Sequence, residues 1–77
     1  MKYSLDRHNE TFSIPFSEEV QLTIKVRYMN KKVLYDIYSD DRLHGTIYKA
    51  QEIWRTHDPI EPMVVELIGN LIEKHRA

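Results

Sequence analysis

From Val20 to Tyr28 the chain alternates apolar and polar residues at every step, with Val20, Leu22, Ile24, Val26 and Tyr28 set against Gln21, Thr23, Lys25 and Arg27. A side-chain period of two predicts a half-buried strand, the first set toward a core and the second toward water or a partner. After the polar break Asn30, Lys31 and Lys32, β-branched and aromatic residues return over positions 33–39 and complete a hairpin. Asp36 is the residue of this run least suited to burial. The pattern therefore directs Val33, Tyr35 and Ile37 inward and sets Leu34 and Tyr38 on the same outward face as Asp36. Asp40, Asp41 and Arg42 supply the next turn, and a third strand follows over residues 43–49, in which Gly45 marks a bulge, a bend or a close backbone approach.

Upstream, Phe12, Ile14 and Phe16 alternate with Thr11, Ser13 and Pro15, and a proline inside such a run predicts an edge strand. Residues before Asn9 either add a further strand or stay loosely held. Residues 50–57 divide between helix formers (Ala50, Gln51, Glu52) and strand formers (Ile53, Trp54, Arg55, Thr56); we read a turn near Gln51 and a short strand through Trp54.

The last segment has a helical period. Asp58 offers an N-cap, Pro59 suits the first helical position and Glu61 completes a capping-box spacing. Ile60, Met63, Val64, Leu67, Ile68, Leu71 and Ile72 then recur as one apolar stripe that calls for burial, with Lys74, His75 and Arg76 at the negative end of the helix dipole. Gly69 in mid-helix permits a close approach to whatever lies beneath it. Strands followed by one amphipathic helix predict an α+β fold: an antiparallel meander of four to five strands with the helix packed across one face, a two-layer sandwich formed by residues 1–77 as one small domain.

Composition narrows the chemistry. The 77 residues include no Cys, which removes disulfides, thiolate catalysis and Cys-based zinc sites. No apolar run resembles a leader or a membrane span, so the expectation is a cytoplasmic chain without membrane partners. Four His (His8, His44, His57 and His75) show no i, i+4 pair, two Gly cannot form a phosphate-cradling loop, and neither a G-x-S-x-G elbow nor a Ser-x-x-Lys pair occurs. No cofactor is expected. A small hydrolase or metal-dependent enzyme ranks third among the functional readings.

The net charge of −1 gives no global pull toward polyanions, yet Lys25, Arg27, Lys31 and Lys32 fall between Val20 and Tyr35 with no acidic residue among them. On the expected outward face Lys25 and Arg27 join Leu34, Tyr38 and Tyr48, and Trp54, the single Trp, adds an aromatic of the kind enriched in interfaces. These six residues form the candidate interaction surface. The leading expectation is a non-enzymatic protein-interaction or self-association module, its partner another protein or a second copy in a homodimer. The alternative is single-stranded nucleic-acid binding through Lys25, Arg27, Lys31, Lys32, Tyr38 and Tyr48, with rings stacking on bases and cations meeting phosphates.

Overall fold

In the computed structural model, which describes residues 10–76, five strands precede one helix: β1 (Glu10–Pro15), β2 (Gln21–Met29), β3 (Lys32–Ser39), β4 (Arg42–Ala50), β5 (Ile53–Thr56) and α1 (Pro62–Arg76). The strands lie side by side in chain order, each antiparallel to the next, so the sheet is an unbroken meander. α1 packs on one face. This is the expected two-layer α+β arrangement, with the divided segment after Ala50 resolved as strand and the Pro15 strand at the sheet edge. The reading for residues before Asn9 lies outside the described residues. None of the described helices is long and apolar enough to cross a membrane.

Three hairpins turn on two residues each: Asn30–Lys31, Asp40–Asp41 and Gln51–Glu52, closed by the pairs Met29↔Lys32, Ser39↔Arg42 and Ala50↔Ile53. All six turn residues have positive φ, between 51° and 71°. Two consecutive positive φ values characterise the I′ turn, whose twist matches that of the flanking strands. Asn and Asp tolerate this conformation; Lys31, Gln51 and Glu52 enter it at a cost of roughly 1 kcal/mol or more each. β1 and β2 are joined instead by a longer loop in which the amides of Phe16 and Ser17 donate to the Val20 carbonyl at 2.9 and 3.1 Å.

The core lies between sheet and helix. Ile14, Leu22, Ile24, Ile37 and Ile47 on the strands cluster with Val65, Ile68 and Ile72 on α1, all buried, and Val26 on β2 is buried too. Gly69 sits directly on the Trp54 ring, where any Cβ would collide with the indole, so the mid-helix glycine is the condition for helix and sheet to approach this closely. Trp54 in turn meets Tyr35 edge to face, ring centres 5.5 Å apart.

Four expectations need correcting. Val20 and Tyr28, at the ends of the alternating run, are 38% and 53% exposed because they lie beyond the helix's footprint. Two members of the helical stripe, Met63 and Leu67, are also exposed: the apolar arc of α1 is wider than the surface the sheet offers it. The helix begins later than Asp58 and Pro59 imply. Glu61 is its N-cap, its carbonyl accepting from the Val65 amide at 2.9 Å, and Pro62 holds the first helical position. Asp58 is diverted because its carboxylate accepts from the Thr46 amide at 2.8 Å and extends the β4–β5 ladder by one side chain, while its own carbonyl closes a tight turn with the Ile60 amide at 2.7 Å. Asp36, finally, is buried, 5% exposed.

Candidate functional site

The face of the sheet that α1 leaves uncovered is built by strand register. Cross-strand pairs align Lys25 with Asp36 and Thr46, Arg27 with Leu34, Thr23 with Tyr38, and Tyr48 with Arg55. Opposed residues share a face, so Lys25, Arg27, Leu34, Tyr38 and Tyr48 come together as the alternation predicts. Trp54 does not join them: its register partner is Lys49, on the helix side, and it lies between the layers. Its indole Nε1 is buried without a hydrogen-bond partner among the described residues.

At the centre stands Asp36. The Arg27 guanidinium grips it bidentately, Nε to Oδ2 at 2.7 Å and Nη2 to Oδ1 at 2.9 Å, and the Thr46 hydroxyl donates to Oδ1 at 2.6 Å. A buried carboxylate requires such partners, since desolvation of an unpaired one costs several kcal/mol. The Asp36 bond raises the Arg27 pKa above its usual range against the opposing pull of burial. Asp36 is thus held by side chains of the two adjacent strands, a partnership that sequence alternation does not reveal.

Around this centre, cations and rings alternate. The Lys25 ammonium lies 4.6 Å from the centre of the Tyr38 ring and that of Lys32 lies 5.7 Å from Tyr48. Tyr48 also meets His57, hydroxyl to Nε2 at 3.2 Å, with ring centres 5.3 Å apart. A shallow concavity of about 460 Å³ opens here, bordered by Met29, Lys32, Leu34, Tyr48, His57 and, at its edge, the Thr46-bonded Asp58. Sequence reading missed Thr46, Arg55 and His57. The period-two pattern carried on from Thr46 through Arg55 was the available signal, but β4 contains a register shift opposite Ile37 and Tyr38, where His44 is an extra residue, and this obscures which β4 residues share the Asp36 face.

Cations outnumber carboxylates among the strand residues of this face. Its strand residues include the cations Lys25, Arg27, Lys32 and Arg55 and one carboxylate, Asp36, already held by Arg27. The other side carries two ion pairs, Lys49 with Glu73 and Arg76 with Glu10, the latter at 2.6 Å. A chain with a net charge of −1 therefore presents a locally positive surface. Exposed apolar residues share it, with Met29 48%, Leu43 53% and Ile53 52% exposed.

A second concavity, about 490 Å³, lies on the helix side between α1 and the β1–β2 loop, lined chiefly by Phe16, Val20, Leu22, Ile60, Val64 and Ile68. Among the described residues no group of three or more His, Asp or Glu converges in a way that holds a metal ion. No family model matches the chain, and no curated protein or solved structure matches it either.

Proposed function

We propose that this chain is a non-enzymatic interaction module that receives an acidic segment of a protein partner on its uncovered sheet face. The observation that carries the reading is the concentration of Lys25, Arg27, Lys32 and Arg55 on one face whose single strand carboxylate is already taken up by Arg27. Complementary charge steers association and fixes orientation. The exposed Met29, Leu43 and Ile53 add the apolar contact area that protein interfaces use and phosphodiester backbones do not. The same cations oppose self-association through this face, since a second copy would bring like charges together.

One observation favours single-stranded nucleic acid as a second reading: Tyr38 and Tyr48 each have a lysine ammonium within 6 Å, a pairing suited to stacking bases and neutralising phosphates. Those rings already carry contacts, Tyr38 with Lys25 and Tyr48 with His57, and on that ground we rank the protein partner first.

The test is a low-salt titration of the folded chain with a labelled glutamate-rich peptide and, in parallel, with a single-stranded oligonucleotide. Binding of the peptide that weakens as salt rises and is lost in Lys25→Glu/Arg55→Glu supports the proposal. Oligonucleotide binding alone promotes the second reading, and no binding of either ligand sinks both. Arg27 is left intact because its loss strands Asp36 and confounds recognition with folding.

A further inference from the structure

We propose that two copies of this chain pair through the outward flank of α1, the helices antiparallel about a two-fold axis close to Leu67. This is independent of the ligand assigned to the uncovered sheet face, which lies on the opposite layer.

The sheet covers only part of the apolar arc of α1. Val65, Ile68, Gly69 and Ile72 are buried against it, but the arc continues through the half-buried Val64 and Leu71 to Leu67, 48% exposed, and Met63, 81% exposed. Met63, Leu67 and Leu71 follow at four-residue spacing and so form a ridge along one side of the helix. The concavity beside α1, walled by Phe16, Val20 and Val64, prolongs this strip onto the β1–β2 loop. A ridge of this kind is the element that packs into its own copy in isologous two-fold pairs.

Charge selects the second copy and its direction. Lys74 lies seven residues, two helical turns, after Leu67 and therefore on the same flank, while Glu61 lies six residues before it and borders the concavity. Both are exposed, and neither has an ion-pair partner among the described residues. Antiparallel pairing about Leu67 sets Met63 against Leu71 of the second copy and brings Lys74 beside Glu61 of the second copy, twice over by symmetry. It also opposes the two helix dipoles favourably. Parallel pairing would stack lysine on lysine and glutamate on glutamate. The resulting dimer leaves both positive sheet faces open, so that a long acidic partner could engage two at once.

Sedimentation velocity on the full chain over a series from low micromolar to millimolar concentration tests the proposal. The expected result is a reversible monomer–dimer equilibrium. Leu67→Glu raises the dissociation constant by roughly 100-fold, because the introduced charge meets its own symmetry mate in an apolar contact. Lys74→Glu and Glu61→Lys each weaken the dimer by about tenfold, and the two together restore it, since exchange of both charges recreates the pair. Circular dichroism establishes that each variant is folded; should Leu67→Glu unfold the chain, Met63→Glu, at the most exposed position of the ridge, carries the same test. A monomer at every concentration overturns the proposal, as does a dimer indifferent to the ridge variants. Loss of the dimer with Leu67→Glu but no rescue by the double exchange overturns the antiparallel arrangement.

Discussion

The two faces of the sheet are held by different physics. The face beneath α1 is a layer of isoleucine, valine and leucine whose stability comes from apolar area withdrawn from water, at roughly 25 cal/mol per Å². No described element packs over the other face, yet Asp36 on it is as buried as Leu22 beneath α1. There the Arg27 guanidinium and the Thr46 hydroxyl bond the carboxylate. Burial on this sheet is therefore not a property of the α1 side alone. The charged face gains a defined geometry from this, but depends on every member of one network being present.

The largest effect is expected where burial is apolar. Ile24→Ala opens a cavity beneath α1 and should lower the unfolding free energy by about 3–5 kcal/mol in a urea titration, with the slope unchanged. On the other face, Asp36→Leu leaves Arg27 without its carboxylate and should cost about 2–3 kcal/mol, less than the roughly 3–5 kcal/mol of a fully buried pair because the Arg27 side chain is 33% exposed. The comparison sharpens in the double variant Arg27→Met/Asp36→Leu, which should recover most of that loss. A double variant no more stable than Asp36→Leu would mean that the network contributes net stability rather than geometry alone.

Two smaller effects refine the contrast. Lys31→Gly relieves a lysine held at φ 66° in the β2–β3 turn and should stabilise by about 0.5–1 kcal/mol, read as a higher denaturation midpoint. Tyr35, packed on the helix side against Trp54, has its phenol pKa raised above 10.0 by burial, with the Arg76 charge opposing. The unfolded ring then ionises before the folded one. Stability fully present below about pH 10 is lost as pH rises through the folded value, and Tyr35→Phe should flatten that part of the profile. An unchanged alkaline slope in this variant would assign the loss to other groups.

Much of the candidate surface was legible in the residues. The strict alternation from Val20 to Tyr28 set Lys25 and Arg27 on one face, and the position of Asp36 set Leu34 and Tyr38 beside them; the structure brings these together. Tyr48 joined them although a register shift intervenes, because the extra residue, His44, lies upstream of it. Trp54 was the exception. Its identity as a large aromatic serves an interface and a core equally well, and only the absence of a side chain at Gly69, fifteen residues later, makes room for it in the core.

By itself, then, the amino-acid order determined the element types, the positions of the hairpin turns, the face each β2 and β3 side chain would share, and the need for a close approach at Gly69. These depend on a period of two or 3.6 and on turn chemistry, which act between residues a few positions apart. Only the tertiary structure decided that Asp36 would be bonded by Arg27 and Thr46, nine and ten residues away, and that Asp58 would bond Thr46 instead of capping α1. Only there, too, did Met63 and Leu67 fall outside the reach of the sheet. Each of these depends on which strands lie adjacent and in what register, and on how much of a helix a five-stranded sheet can cover, quantities that a local pattern does not contain.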